Sequence, residues 1–381
     1  MNSIYAKTIY TGKTIQKNSY VVFNGKTVVG ISEKKKGKLL GKYPVITPAF
    51  IDAHSHIGMM RAGEPSGEGE INEQMDSIQA LPDALDSVQM DDTSFKNAVE
   101  GGVLYSCVLP GSGNIIGGLS AVIRNYAKTS TQALIKRAGV KAAFGYNPCV
   151  GTISWKGQRP TTRMGAASIL RSKLDSVAQK IQKQKKAKGK KKEDIEFSIE
   201  EKVIRDILLK KHILRVHVHK IDDIALLLRI VDEYKIKVTV EHASDVHEPE
   251  IFRELKKRKI PVVSGPYGSI AYKVELKHEN YSNIKHIIDE KVRFGLMTDH
   301  PVILTELLFL QTKWFLKYGL SKQEAVELIS RNNAEILGID NILGSLYKGK
   351  WASFTCWNGN PFDITNYPVA VYGEGELLYS E

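Results

Sequence analysis

A chain of 381 residues, 42% hydrophobic and 25% charged, can build one large domain or a barrel with an appendage, and none of its windows holds the roughly 18 apolar residues of a membrane helix. The net charge of +12 suggests nucleic acid. However, eight lysines between Lys180 and Lys192 supply most of it with no acid or aromatic residue among them, so there is no stacking platform and no nucleic-acid partner is expected.

The elements are taken in chain order. Ser3–Tyr10 and Ser19–Ser32 are rich in Val, Ile, Tyr and Thr, and Asn24-Gly25 is a hairpin signal. Trp351–Trp357 and Val369–Tyr379 flank Asn358-Gly359 in the same way. The two ends, 1–47 and 345–381, are therefore expected to meet in one small β domain. Between them, 48–344 alternates. Buried strands are predicted at Pro48–Ala53, Gly102–Leu109, Leu119–Asn125, Gly139–Gly145, Ile213–Val218, Ile236–Glu241, Ile260–Ser264 and Val292–Thr298. Helices are predicted at Ile221–Tyr234, Glu248–Lys259, Pro301–Tyr318 and Ser321–Leu337, with Pro301 in a first turn. This order matches an α/β fold of the (β/α)8 TIM-barrel type, with a doubly wound sheet as the alternative. Pro110–Gly118 is too short for a crossover helix, and the lysine-rich stretch near 176–200 reads as a solvated insertion. Cys107, Cys149 and Cys356 are few and odd in number, which argues against a disulfide frame and for a reducing, cytoplasmic setting. The first residues lack the layout of a signal peptide.

Function in such a barrel collects where strands end. The first predicted strand ends in Asp52-Ala-His54-Ser-His56, which places two imidazoles on one face. The fifth ends in His217-Val-His219, the sixth in Glu241-His242, and the eighth in Thr298-Asp299-His300. Histidines and an aspartate converging there suit a divalent ion, most simply zinc, although Fe, Mn, Ni and Co accept the same ligands. Such an ion lowers the pKa of water and polarises a carbonyl oxygen. A nearby carboxylate then moves the proton to a leaving nitrogen, and Asp299 is the natural choice. His300 reads as a buttress of its loop or as a member of the site. His212, His247, His278 and His286 lie in Lys/Glu-rich stretches and read as solvated. Arg163, able to pair a substrate carboxylate, and Tyr267, after the seventh strand, are candidate substrate contacts, with His219 at the mouth. The glycines of Pro110–Gly118 read as a tight connection rather than an anion nest, and Cys149 as an inert small residue.

Pro48-Ala-Phe-Ile-Asp-Ala-His54-Ser-His56 resembles the opening of the amidohydrolase superfamily. The likeness continues through Val108-Leu-Pro-Gly-Ser-Gly-Asn-Ile-Ile-Gly-Gly118, Lys141-Ala-Ala-Phe-Gly-Tyr-Asn-Pro148, Thr298-Asp-His-Pro-Val302 and Asn333-Ala-Glu-Ile-Leu-Gly338, and is nearest to the imidazolonepropionase-related branch. The resemblance implies a distorted (β/α)8 barrel with a small β-sandwich built from both termini. It implies metal ligands His54, His56, His217, His242 and Asp299, holding one or two ions, with Asp299 as proton shuttle. Where one ion is bound, His242 meets substrate or water instead. The implied activity is metal-dependent hydrolysis of a C–N bond in a small amide or cyclic amide: an imidazolone-like lactam, an N-acyl amino acid or a dipeptide. A homo-oligomer is compatible with it. Three departures matter. Ala49 replaces the usual Gly, a mild backbone change. Tyr146 stands where relatives carry Glu, and Lys141, read as lying at the strand's start, is not expected to bridge metals. Lys220 stands near the position of a deaminase glutamate, which disfavours deamination. Tyr146 keeps open a third reading, a barrel that binds metal or ligand without turnover.

Overall fold

The computed structural model describes residues 1–149, 158–187, 195–271 and 273–381. Four strands open the chain: β1 (Asn2–Tyr10), β2 (Ile15–Asn24), β3 (Thr27–Ser32) and β4 (Lys38–Pro48). The middle supplies β5 (Phe50–Ser55), β6 (Val103–Val108), β7 (Ile116–Arg124), β8 (Leu134–Ala143), β9 (Leu214–Val218), β10 (Val238–His242), β11 (Val262–Ser264) and β12 (Phe294–Leu296). The chain closes with β13 (Phe354–Trp357), β14 (Pro368–Gly373) and β15 (Glu376–Ser380).

The two ends do meet. They form one seven-stranded sheet, β15-β14-β13-β4-β1-β2-β3. Strand β4 joins them, pairing parallel with β1 and antiparallel with β13 (Val45 opposite Trp357, Ile46 opposite Cys356). Alternation puts Ile4, Ala6, Ile9, Val21, Phe23, Ile46 and Phe354 into one buried cluster. The expected terminal β domain is thus a continuous hydrogen-bonded sheet drawn from both ends of the described chain.

The middle strands form an eight-stranded sheet, β12-β11-β10-β9-β8-β7-β6-β5, that nearly closes on itself. Its pairs are parallel except β6/β7 and β7/β8, which are antiparallel. That exception explains Pro110–Gly118: antiparallel neighbours need only a short turn, so no helix is missing. Backbone donors of this turn are taken by Ile71 and Asn72, as a tight connection requires.

Specific bonds draw β5 and β12 together. The Asp299 N–H donates to the His54 carbonyl (3.0 Å) and the His56 N–H to the His300 carbonyl (3.2 Å). Buried Asp52 accepts the Thr298 N–H at 3.0 Å and the Thr298 hydroxyl. Asn333 is buried, and its Nδ2 donates to both Ile51 O (2.6 Å) and Leu296 O (2.7 Å), one on each side of the seam. Asn333→Ala would leave both carbonyls without this donor. It is expected to cost about 1–3 kcal/mol, read as a lowered urea midpoint at unchanged slope.

Two predicted helices are interrupted. Pro301–Tyr318 becomes a 3-10 segment (Thr305–Gln311) followed by a helix (Thr312–Lys317), and Pro301 lies in the turn ahead of it. Ser321–Leu337 splits into Lys322–Leu328 and Arg331–Leu337 at Ser330, whose backbone leaves the helical region and whose hydroxyl turns back to Val326 O. A long helix, Arg163–Lys186, runs into the lysine-rich stretch, where Lys180 pairs with Glu201 at 2.6 Å; Lys188 and Lys190–Lys192 lie outside the described residues. Among the described residues no helix is long and apolar enough to cross a membrane.

Candidate active site

Every residue of β5 is buried, and period-two alternation sends Asp52 and His54 to one face, with His56 just beyond the strand end. The partners of the histidine Nδ1 atoms decide which nitrogen points inward. His56 Nδ1 lies 2.7 Å from Leu109 O, and His242 Nδ1 lies 3.0 Å from Gly265 O. A carbonyl only accepts, so each Nδ1 carries the proton and each Nε2 keeps its lone pair. His54 does the same through the Glu241 carboxylate at 3.0 Å. Glu241 is itself fully buried and pairs with Arg215 at 3.4 Å. Burial, reinforced by neighbouring cationic groups, holds His54, His217 and His242 well below the usual imidazole range, so the rings are neutral.

The His54 and His56 Nε2 atoms face Asp299, while His242 Nε2 lies 2.7 Å from His217 Nδ1. Asp299 Oδ1 is 3.2 Å from His56 Nε2 and 3.5 Å from His54 Nε2. Burial alone would raise the Asp299 carboxyl, but the neighbouring His56, His54 and Lys141 outweigh that and keep it low. Imidazole lone pairs and a carboxylate oxygen facing one another in a buried space form the donor set of a divalent cation. Two such sets occur, His54/His242/Asp299 and His217/His219/His242, and His242 belongs to both. His242, Ala243 and Asp299 also adopt left-handed φ values (79°, 56° and 50°), each costing about 1–2 kcal/mol relative to the right-handed region. The backbone is thus bent at the positions that aim His242 and Asp299.

Lys141 belongs here, contrary to expectation. Its Nζ is 3.0 Å from His54 Nε2, and the residue is buried. Sequence reasoning put the strand at Gly139–Gly145 and so placed Lys141 at its start. The strand is in fact Leu134–Ala143, and Lys141 lies two residues from its C-terminal end, paired with Arg215 of β9. Burial lowers its ammonium pKa to about 8, against the pull of Asp299 and Glu241.

Further polar residues complete the wall. Glu275, on a 3-10 turn after β11 (Val274–Leu276), is buried. Its Oε1 lies 3.6 Å from His217 Nε2, 3.7 Å from His219 Nε2 and 2.9 Å from Lys273 Nζ. Asn147 Nδ2 lies 3.3 Å from His217 Nε2. Neither ring nitrogen of His219 has a hydrogen-bond partner among the described residues. Burial lowers the His219 pKa to about 3, helped by Lys273 and opposed by Glu275. Glu275, Glu241, Lys273 and Asn147 were missed from sequence. Glu241 adjoins His242 and had that signal; Glu275 and Lys273 stand on an irregular segment with none.

Of the expected substrate contacts, His219 is in this group. Tyr146 adjoins it through its backbone, whose N–H donates to Glu275 Oε2 at 2.9 Å. The preceding Gly145 (φ +90°) allows that approach, because a Cβ there would lie 2.9 Å from both Asp223 Oδ2 and Glu275 Oε2. Tyr267 is turned away: its hydroxyl bonds Ser264 Oγ at 2.7 Å and it lines a cavity of about 270 Å³ bordered by Phe252 and Ile284. Arg163 is also not among the converging residues, since Asp223 engages its guanidinium at 2.6 and 3.1 Å. His300 is a buttress, its Nδ1 accepting the Thr305 N–H at 3.3 Å. Arg163→Ala strips the partner from nearly inaccessible Asp223. Its expected result is a loss of about 1–3 kcal/mol with unchanged KM; a raised KM at unchanged stability would instead mark Arg163 as a substrate contact.

The sequence profile of the amidohydrolase family matches residues 45–375. The chain belongs to the amidohydrolase family. This amidohydrolase is similar to a solved amidohydrolase from Thermotoga maritima MSB8, 29% identical over the whole of both chains with a TM-score of 0.91. It is also 24% identical to the amidohydrolase tasK of Hapsidospora irregularis, matching 88% of the present chain but only 36% of that longer protein. A solved Xaa-Pro dipeptidase with bound methionine shares the fold at 13% identity, complete coverage of both chains and a TM-score of 0.62. The family is typically dependent on metal, and the chain carries His/Asp groups suited to hold it.

Proposed function

We propose that this amidohydrolase cleaves the C–N bond of a small amide or cyclic amide, with divalent metal held by His54, His56, His217, His242 and Asp299. The observation that carries the reading is the approach of His54 Nε2 and His56 Nε2 to the Asp299 carboxylate, with His242 in the same ligand group as His54 and Asp299. A bound divalent ion, most simply zinc, acidifies water and polarises the substrate carbonyl. Asp299 would hold the ion through Oδ1, and its other oxygen would accept the proton of the attacking water and return it to the leaving nitrogen. His242 belongs to both candidate ligand sets. Glu241 and Leu109 O hold the His54 and His56 rings in orientation.

Lys141 takes the bridging place that Tyr146 leaves without a carboxylate. Were its neutral amine to add to the carbon of CO2, forming an N–C bond and releasing a proton, the carbamate so made would offer a carboxylate beside His54, 3.0 Å from the present amine. His219, Lys273 and Glu275 border the space where substrate polar groups are recognised. Imidazolone-like lactams, N-acyl amino acids and dipeptides are the proposed substrate classes, the first from the sequence motifs alone; a solved Xaa-Pro dipeptidase shares the fold.

The experiment is a panel of N-acyl amino acids, dipeptides, five-membered lactams and amino-substituted heterocycles offered to the zinc-loaded protein, with products separated chromatographically. Appearance of a carboxylate and an amine from an amide or lactam is expected. Ammonia released only from the amino-heterocycles would make the protein a deaminase; no turnover of any class, with metal bound, would make it a binding barrel.

A further inference from the structure

Two histidines expected to be merely solvated form a second cluster. Asp245, His247 and His278 each offer one ligand atom, and these atoms lie within 4.8 Å of one another. Asp245 is completely buried. Its Oδ1 accepts the His278 backbone N–H at 2.5 Å, and its Oδ2 lies 3.3 Å from His278 Nδ1. His247 Nδ1 lies 2.9 Å from the Asp245 carbonyl, so that nitrogen carries the proton and Nε2 keeps a lone pair. The two rings lie 4.3 Å apart between centroids, tilted by 44°. This set shares no residue with the buried active-site groups.

We propose that Asp245, His247 and His278 bind a further divalent transition ion, zinc or a similar cation, at the rim of the barrel. The chemistry is that of a site with one carboxylate and two imidazoles and with water completing the shell, because the His278 side chain remains 42% accessible. Asp245 anchors the site, and its preformed bonds to His278 restrict the carboxylate before any ion arrives. The ion joins the turn after β10, which carries His242, to the segment after the 3-10 turn Val274–Leu276, which carries Lys273 and Glu275. The Asp245 N–H donates to the His219 carbonyl at 3.3 Å, so the same turn is already tied to the active-site wall. The role is to staple two active-site loops, independently of which bond the enzyme cleaves.

The test uses the full chain and zinc alone as probe. Parent, His278→Gln and His247→Ala/His278→Ala proteins, each checked for native circular dichroism, are equilibrated with micromolar free zinc and their zinc content is measured. Hydrogen exchange of 274–283 is followed with and without zinc. The parent is expected to hold one more ion per chain than either variant, and zinc to slow exchange of 274–283 in the parent alone. His278→Gln alters an accessible side chain and keeps the test open should the double variant fold poorly. Equal zinc content in the parent and His278→Gln, or equal zinc protection in both, overturns the proposal and leaves the cluster a hydrogen-bonded pair of loops.

Discussion

Replacing Asp299 with Asn is expected to lower kcat by about 10²–10⁴-fold, the usual contribution of a positioned proton carrier, with KM changed far less. The substitution keeps the size of the side chain and leaves intact the backbone bond from Asp299 N–H to His54 O that helps close the barrel. Folding should therefore survive, and circular dichroism with a thermal melt verifies it. What is lost is the other basic oxygen, the partner of the one that stands 3.2 Å from His56 Nε2 and 3.5 Å from His54 Nε2. Steady-state kinetics on a substrate from the panel decides the matter. A variant that keeps metal and matches the parent's kcat removes Asp299 from proton transfer.

The second large effect is expected at Lys141. Lys141→Met keeps much of the side chain's volume and removes a cationic group that burial already disfavours, so the fold should tolerate it. Metal retention should fall by about 100-fold or more, the upper end of what supporting residues contribute, because a ligand is lost rather than a support. Activity should fall with it. Supplying ¹³C-labelled bicarbonate to the zinc-loaded parent should yield one carbamate resonance by ¹³C NMR that Lys141→Met lacks. A parent without that resonance, or a Met variant that retains its ions, excludes the carbamate.

Lys141 also shows where sequence reasoning stops. The apolar run Gly139–Gly145 was visible, but strand ends follow from pairing with neighbours, and β8 begins at Leu134 because antiparallel β7 extends it in that direction. Five residues of displacement moved a lysine from the supposed floor of the barrel to its reacting end. The histidines were legible for the opposite reason. A His-x-His at the end of a buried strand faces one side whatever the exact boundary: His54, His217 and His242 share ligand groups, and His56 lies beside His54 with ring centroids 5.5 Å apart. The antiparallel insertion of β7 left only an indirect trace, a connection too short for a helix.

Side-chain partners outside the regular elements were not readable. Glu275 reaches His217 and His219 from an irregular turn that carries no periodic signal. Arg163 had the right chemistry for a carboxylate, but a buried aspartate sixty residues later holds it. His247 and His278, read as solvated from their charged surroundings, lie thirty-one residues apart and meet only because two barrel loops fold together.

The most direct test of the central claim is hydrolysis before and after chelation, with zinc content measured on the same sample. Stripping the ions is expected to abolish turnover of the amide substrate, and stoichiometric zinc to restore it in the parent but not in His54→Ala. A stripped protein that still hydrolyses the substrate at the parent's rate would contradict the account.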